Sequence, residues 1–285
     1  MKIVAPIYSN KNIDLLLENI DIALLNIPYF SMVYEDLDID SALISCKKHN
    51  VETLISINRI FLEDELETVK NFIEKYKDYG FVISDLGVAQ ICKDLGLLHN
   101  VIFDSPTMVC NSYDLKLYNS FGFKAVSISN EITIEDVKNY SLENVNIYYQ
   151  VFGNKLMFYS KRKLVDLYKE FRKLNFENIN LSLKEEKRIY DIPIIQTKNG
   201  TFVYRNYLIS QLEHINDFKS IKYLYFESLF LDLDRFIKVV QIYKKVINGS
   251  LDIKEGLNQM SSLDLNIEEG FNFLDSIHTK EKIIQ

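Results

Sequence analysis

The sequence predicts an α/β protein of the (β/α)8 TIM-like barrel class, with a β-hairpin inserted before the last strand and a C-terminal helical extension. Short, β-rich apolar runs alternate with helical segments at intervals of roughly 20–30 residues, which is typical of βαβ units and a parallel sheet. Most runs are continuously apolar, as expected for strands covered on both faces. Eight such runs within 285 residues match the usual length of one barrel.

The first half of the chain supplies four predicted strands: "KIVA" (2–5), "DIALLNI" (21–27), "ETLISI" (52–57) and "GFVIS" (80–84). "DSALISCKKHN" and "EDELETVKNFIEKYKDYG" lie between strands of this set and have helical patterns. The connection after the first strand, "APIYSNKN", contains no glycine. An open dinucleotide-binding sheet commonly has a glycine-rich turn there, so a closed barrel is favoured.

The second half supplies the other four: "NVIFD" (100–104), "KAVSIS" (124–129), "VNIYYQV" (145–151) and "IKYLYF" (221–226). "SYDLKLYNSFG" and "TIEDVKNYS" are helical segments between them. "DIPIIQTKNGTFVYRN" has two β-rich runs around Asn199-Gly200, the preferred pair for a type I′ turn, and predicts a hairpin at about 190–206. The predicted barrel domain spans 1–249, and 250–285 form a helical tail packed on it.

The helix that follows the last strand is amphipathic. "LDRFIKVVQIYKKVING" places apolar side chains on one face and ends at the stop signal Asn248-Gly249. The residues of that face are Phe236, Val239, Val240, Tyr243 and Val246.

Charge and cysteine content narrow the functional class. With 33 basic and 40 acidic residues the net charge is −7, which argues against nonspecific coating of nucleic acid but leaves a local basic patch open. Cys46, Cys92 and Cys110 are far apart and form no CxxC pair, as expected in a reducing cytoplasm. The N-terminus resembles neither a signal peptide nor a membrane span. We therefore expect a cytoplasmic protein without a membrane partner.

Candidate site residues follow from the barrel hypothesis, because barrel function lies on loops at the carboxyl ends of the strands. Carboxylates that converge from different strands can act as acid and base or hold a divalent cation. The alternative is that Asp85 and Glu131 begin helices, where acids favour the helix dipole. No histidine-based metal site is predicted. The candidate catalytic residues are Asp85, Glu131 and Gln150, and the candidate substrate-binding residues are Asn58, Thr107, Asn111 and Glu227.

A basic cluster, Ser160-Lys161-Arg162-Lys163, follows the seventh predicted strand. It is either an anion site or the solvated start of a helix. Cations at the start of a helix interact unfavourably with the helix dipole, by a few tenths of a kcal/mol or more. A solvated helix start with these residues would therefore be slightly destabilised. Ser160, Lys161 and Arg162 are therefore candidate anion-binding residues.

Residues 150–163, "QVFGNKLMFYSKRK", resemble the signature of the collagenase-like U-32 peptidase family. The similarity is greater to a short, cysteine-free branch that reads Gln-Val-His-Gly and then Met-Phe-x-Ser-Lys-Arg. "YDIPIIQTKNGTFVYRNYLISQLEHI" and "SISNEITIEDV" resemble further segments of that branch, and "ISDLG" and "TMVCN" fit its fourth and fifth strand ends. Together these segments cover most of residues 1–235.

The resemblance implies activities that the residues alone do not. Some family members are named as peptidases, a hydrolase activity, and others modify RNA or cofactors. The cysteine-free branch is associated with hydroxylation of the transfer RNA wobble uridine to 5-hydroxyuridine, beside a paralogous U-32 subunit. Cysteine-bearing members hold an iron–sulfur cluster. Here the cysteine positions are Leu156 and Lys163, which cannot ligate iron, so we expect no such cofactor.

The chain also departs from the branch pattern. Phe152 replaces the histidine, Val33 and Asn130 replace two arginines, and Gln196-Thr197 replaces an acidic pair. Strong anion-binding and proton-transfer groups are thereby lost. Three functions stay open: transfer RNA hydroxylation, as enzyme or accessory subunit; a collagenase-like peptidase; and a noncatalytic binding subunit of a complex with a paralogue.

Overall fold

The computed structural model describes residues 1–177, 181–184 and 190–270. Its strands are β1 (Lys2–Ile7), β2 (Ile22–Asn26), β3 (Glu52–Ile57), β4 (Gly80–Ile83), β5 (Val101–Phe103), β6 (Ala125–Ser127), β7 (Ile147–Ser160), β8 (Leu181–Leu183), β9 (Ile192–Thr197), β10 (Gly200–Ser210) and β11 (Ile221–Phe226). Its α-helices are α1 (Ile13–Leu17), α2 (Ile39–Lys48), α3 (Leu66–Lys75), α4 (Leu86–Asp94), α5 (Ser112–Ser120), α6 (Ile134–Tyr140), α7 (Leu164–Arg172), α8 (Leu233–Ile247) and α9 (Ile253–Ser261).

Eight parallel strands in the described part of the chain close into a barrel. Strands β1 to β7 are neighbours in chain order, and β11 pairs in parallel with both β1 and β7. Leu224 of β11 lies opposite Ile3 on one side and Tyr149 on the other. The predicted barrel is confirmed, and each of its eight strands lies where the apolar runs placed it.

The continuous apolar runs are explained by two cores on opposite faces of the sheet. In β2, Ile22 and Leu24 belong to the core inside the barrel, whereas Ala23 and Leu25 pack outward against the helices. Successive strand residues point to opposite faces, so a strand buried on both faces must be apolar at every position. The inner core comprises Val4, Ile22, Leu24, Leu54, Val82, Ile102, Ala125, Tyr148 and Tyr223.

Strand β7 is twice as long as the predicted strand and leaves the barrel. Its first half pairs with β6 and β11, and its second half pairs antiparallel with β10, from Gly153 opposite Ile209 to Ser160 opposite Thr201. Strand β9 pairs antiparallel with β10, which confirms the predicted hairpin. We call residues 153–160 and 192–210 the hairpin cap.

The hairpin cap folds back over the carboxyl end of the barrel. Asn199 donates from Nδ2 to the carbonyl of Ser31 at 2.7 Å, and Thr197 donates from Oγ1 to the carbonyl of Met32 at 3.1 Å. The turn residues are Lys198 and Asn199, and neither has the positive φ of a type I′ turn. The predicted turn type is therefore wrong: the bend is made with Asn199 bonded to the β2 loop.

The C-terminal part of the described chain packs on the outside of the barrel. Helix α8 buries the predicted apolar face, and α9 lies against α8. Leu208 of β10 exchanges backbone hydrogen bonds with Asn266 and Glu268. The rest of the predicted tail, 271–285, lies outside the described residues. Within the described residues, no helix is both long enough and apolar enough to span a membrane.

Candidate functional site

A polar cavity of about 80 Å³ lies at the carboxyl end of the barrel, beneath the hairpin cap. The polar lining of this cavity follows from the alternation of side chains along each strand. Two residues beyond an inner apolar position, the same face carries a polar side chain, because the side-chain period of a strand is two. Leu24 is followed by Asn26, Ile102 by Asp104, and Tyr148 by Gln150. The polar residues of the lining include Tyr8, Asn26, Asn58, Ser84, Asp104, Ser127, Asn130, Tyr148, Gln150, Asn154, Tyr204, Tyr225 and Glu227.

Glu227 is the most completely bonded carboxyl group of this cavity. It follows β11, is buried, and accepts hydrogen bonds from the hydroxyls of Tyr8 and Tyr225, each at 2.8 Å. The backbone N–H of Leu229 donates a third bond at 3.0 Å. Burial raises the pKa of Glu227 above its ordinary value, and these hydrogen bonds offset only part of that effect. A carboxyl group whose pKa is raised in this way donates a proton more readily near neutral pH than an ordinary, fully ionised carboxylate does.

Asp104 and Tyr148 bring a second ionisable group and a buried hydroxyl to the same cavity. Burial raises the pKa of Asp104 to about 6, and a hydrogen bond with Ser127 opposes the shift. The hydroxyl of Tyr148 is buried and has no hydrogen-bond partner among the described residues. An unsatisfied buried polar atom costs about 1–3 kcal/mol, so Tyr148 marks a place where a bound polar molecule would be stabilised.

The amide side chains of the cavity are held by backbone groups. Asn58 accepts from the N–H of Met32 at 2.9 Å, and Gln150 donates to the carbonyl of Asn154 at 3.2 Å. Asn154 donates from Nδ2 to the carbonyls of Arg205 and Tyr207, which leaves its buried Oδ1 without a described partner. The lining is thus rich in uncharged donors and acceptors with fixed orientations.

Lys155 lies next to this cavity and was not singled out by the sequence. It is buried, and its Nζ donates to the carbonyl of Asn130, a lining residue, at 3.3 Å. Burial, with a smaller contribution from Arg205, lowers the pKa of Lys155 to about 7. An uncharged amine therefore forms there readily at neutral pH.

Three of the predicted site residues, Asn58, Gln150 and Glu227, line the cavity together. The others lie elsewhere. Asp85 caps α4 and accepts from the N–H of Gly87 at 2.7 Å, and Asn111 caps α5. Both therefore have the helix-capping geometry that was the alternative for Asp85. Thr107 and Glu131 are exposed on loops, and Ser160 ends β7. Their functional roles stay predictions.

The basic cluster does not line the cavity. Lys161 forms an ion pair with Glu65 at 2.5 Å, and Glu65 in turn pairs with the buried Arg59 at 2.9 Å. Arg162 and Lys163 are exposed at the start of α7. Lys161, the residue after the first segment of the hairpin cap, therefore links that segment to the loop after β3. Its neighbours Arg162 and Lys163 are exposed and accessible to an anion.

The residues at the family's cluster positions do not fit an iron–sulfur cluster. Leu156 is in the cavity wall, and Lys163 precedes α7, so neither position offers a thiolate. Cys46 and Cys92 are buried in α2 and α4, and Cys110 is exposed. Among the described residues, no group of three or more histidine, cysteine or carboxylate side chains is placed to hold a metal ion.

Replacing Asp104 with asparagine tests the electrostatics of the cavity. A carboxyl group with a pKa near 6 in the folded protein and about 3.9 in the unfolded chain makes folding less favourable as pH rises through that window. Asp104→Asn removes this cost. We expect its free energy of unfolding, relative to wild type, to increase by about 2 kcal/mol between about pH 4 and pH 7, a value reduced for partial solvent exposure.

Urea denaturation across this pH range measures the effect. Asp78→Asn is the matched control, because Asp78 is exposed. A difference between Asp104→Asn and wild type that does not change with pH would contradict the raised pKa.

Comparisons with known proteins identify the family to which this chain belongs. A sequence model of peptidase family U32 matches residues 31–274. A solved structure described as the U32 peptidase Mk0906 is similar in fold, with a TM-score of 0.51 and 9% sequence identity, over 80% of this chain and 92% of that one. No curated protein matches significantly. The family match covers most of the barrel, the hairpin cap and α8, and this chain therefore belongs to peptidase family U32.

Proposed function

We propose that this protein takes part in hydroxylation of the wobble uridine of transfer RNA, as the enzyme or as the subunit that holds the base. The observation that supports this most is the chemistry of the cavity. Its polar lining consists of amides, phenols, serine hydroxyls and two carboxyl groups of raised pKa, and among the described residues no lysine or arginine lines it. Such a site favours an uncharged polar ring over a phosphate or carboxylate.

A uracil ring fits these requirements. It presents two carbonyl acceptors and one N–H donor, and RNA-binding proteins commonly read unstacked bases through such edges. Buried side-chain amides with fixed orientations discriminate strongly, because a ligand that fails to pair leaves them unsatisfied. The base must leave the loop stack to enter, as in other proteins that act on a nucleobase. Glu227 and Asp104 would move protons on the bound ring. Conversion of the ring C5–H to C5–OH is a two-electron oxidation, so an oxygen-donating oxidant must enter as a co-substrate.

A peptidase activity is the second candidate. Two carboxyl groups of raised pKa in one cavity are the acid–base equipment of carboxyl-dependent hydrolysis. A peptide chain, however, needs an open cleft in which to lie. The hairpin cap is bonded across the carboxyl end of this barrel, and the cavity beneath it holds only several waters' volume. The geometry therefore favours a small ring over a polypeptide.

Mass spectrometry of transfer RNA nucleosides tests the proposal. A strain lacking this chain is complemented with wild type, Glu227→Gln, Arg162→Ala or the control Asp78→Asn. We expect 5-hydroxyuridine derivatives to disappear on deletion and to return with wild type and Asp78→Asn. Glu227→Gln removes an acid–base group and should lower them at least about tenfold.

Other outcomes reassign the chain. Unchanged nucleosides in the deletion strain would reject the proposal. Cleavage of fluorescein-labelled gelatin by the purified protein, abolished by Glu227→Gln, would then establish the peptidase. Nucleosides that are lost on deletion but fully restored by both Glu227→Gln and Asp104→Asn would identify a noncatalytic subunit.

A further inference from the structure

Helix α7 has an apolar face that the described part of the chain leaves largely exposed. Leu164, Leu167, Tyr168 and Phe171 follow the spacing of one helical face, which in a globular protein normally packs against the core. In α7 no residue is buried, and the side chains of Tyr168 and Phe171 are 53% and 81% exposed. The barrel core is therefore not what selects this pattern.

Positive charge is concentrated on the same segment. Residues 161–176 contain six lysine or arginine residues and two acidic ones, so their net charge is +4 in a chain of net charge −7. Arg162, Lys163, Arg172 and Lys173 form no ion pair within the described part of the chain. Lys169 lies over the ring of Phe176, with 4.4 Å between its Nζ and the ring centroid.

The cations and the aromatic rings alternate around one short helix. Tyr168 and Arg172 are four residues apart and therefore adjacent on the helix surface. Exposed rings that stack on bases, interleaved with cations that contact phosphates, are the usual equipment for binding single-stranded nucleic acid. An acidic protein surface would pair with the cations but would leave these rings without a specific partner.

The segment is connected directly to the cavity. Leu156 lines the cavity, and β7 runs on to Ser160, a span of about 13 Å at 3.3 Å per residue. The N–H of Leu164 is bonded to Thr201 and that of Val165 to Gln196, which fixes the start of α7 on the hairpin cap. A polynucleotide with one base in the cavity could therefore lie along the cap towards α7.

We propose that α7 and its flanking cations, residues 161–176, form an RNA-docking surface that binds the loop nucleotides beside the target base. The phosphates lie on Arg162, Lys163, Arg172 and Lys173, and bases stack on Tyr168 and Phe171. The proposal rests on the proposed function for the identity of the RNA, and its binding chemistry is independent of any catalysis in the cavity.

Fluorescence anisotropy with the full-length protein tests it. The probe is a fluorescein-labelled anticodon stem–loop RNA with uridine at the wobble position, titrated between about 50 and 200 mM salt. Arg172→Gln/Lys173→Gln should reduce the slope of log K against log salt by about 1.4, since each single-strand phosphate contact contributes about 0.7. Phe171→Ala should weaken binding about tenfold.

Matched controls separate this surface from general charge and exposure. Lys238→Gln/Lys245→Gln removes two exposed cations from α8, and Tyr113→Ala removes an aromatic ring that is 84% exposed on α5. Both should bind RNA as wild type does. If the α7 variants and the controls have the same affinity and the same salt slope, the proposal is wrong. The proposal is also wrong if Phe171→Ala abolishes a self-association seen by sedimentation and leaves RNA affinity unchanged.

The two proposals fail in different ways. Nucleosides unaffected by deletion, with RNA affinity that still depends on Phe171 and Arg172, would reject the hydroxylation proposal and retain the RNA surface. Nucleosides lost on deletion but fully restored by Phe171→Ala and by Arg172→Gln/Lys173→Gln, with unchanged RNA affinity, would reject the surface and retain the function.

Discussion

Gly153→Ala should destabilise the protein by about 3 kcal/mol or more, because the chain has no room for a side chain there. Gly153 has a φ of 108°, and an added Cβ would lie 2.3 Å from the carbonyl oxygen of Glu227 and 2.6 Å from its Cβ. Left-handed backbone costs a residue with a side chain about 1–2 kcal/mol, and forced overpacking adds about 1–3 kcal/mol. Because the clash is with the Glu227 backbone, the site should be displaced as well.

Urea denaturation measures the loss, and Gly122→Ala is its control. Gly122 also has a positive φ, 92°, but an added Cβ would meet nothing within 4 Å. The control should therefore cost only the backbone strain, about 1–2 kcal/mol. Equal losses in the two variants would show that the close approach to Glu227 contributes nothing.

Arg59→Met should cost about 3 kcal/mol, the lower end of the loss usual when one partner of a buried ion pair is removed, because Arg59 is buried but Glu65 only partly so. The Arg59 side chain is 2% exposed and lies between the rings of Tyr29 and Phe61, with its guanidinium carbon 4.5 and 4.0 Å from their centroids. It donates to Glu65 and to the carbonyls of Tyr29 and Ile60. Its loss leaves Glu65 with Lys161 as its one ionic partner among the described residues.

The pH dependence of this loss identifies its cause. Partial burial acts to raise the pKa of Glu65, but hydrogen bonds from Arg59 and Lys161 lower it to about 2. A depressed carboxyl pKa stabilises the fold above the unfolded value of about 4.3, and that contribution is lost as pH falls towards 2. Arg59→Met should therefore lose less stability than wild type on acidification over this window.

Two further variants complete the Arg59 experiment. Arg59→Met/Glu65→Gln should be more stable than the sum of its single changes implies, since both members of the pair are then gone. Arg235→Met breaks an exposed pair with Asp232 and should cost no more than about 1 kcal/mol. Strict additivity in the double variant would contradict the proposed coupling.

The barrel was predictable because its strands are covered on both faces. Such strands are apolar at every position and therefore appear in the sequence as continuous apolar runs. The second half of β7 was not predictable from the sequence, because a glycine such as Gly153 commonly marks the end of a strand. Whether a chain stops or continues at such a glycine is decided by a distant partner, here β10, which pairs with residues 153–160. Likewise, the turn type at Asn199 is decided by carbonyl groups of the β2 loop.

The site was predictable in part, and the misses have a common cause. Reading residues just beyond strand ends selected Asp85 and Glu131, whereas their neighbours Ser84 and Asn130 line the cavity. A side chain points into the barrel when it continues the period of two of its strand. The residue after it points elsewhere, and it begins a loop or caps a helix. Extending the inner apolar face by two residues selects Asp104, which follows the fifth strand but was not among the predicted site residues. The tyrosines of the cavity could not be predicted, because the sequence does not distinguish a tyrosine whose hydroxyl lines a site from one that only packs in the core.

The order of pairing in the barrel has a consequence for how the protein is made. Strand β1 has β2 on one side, but its other neighbour is β11, more than two hundred residues later in the chain. During synthesis the growing polypeptide therefore holds an unprotected sheet edge until residues 221–226 have left the ribosome. Such edges template intermolecular pairing. We therefore expect a nascent chain arrested before β11 to aggregate more readily than one that includes this strand.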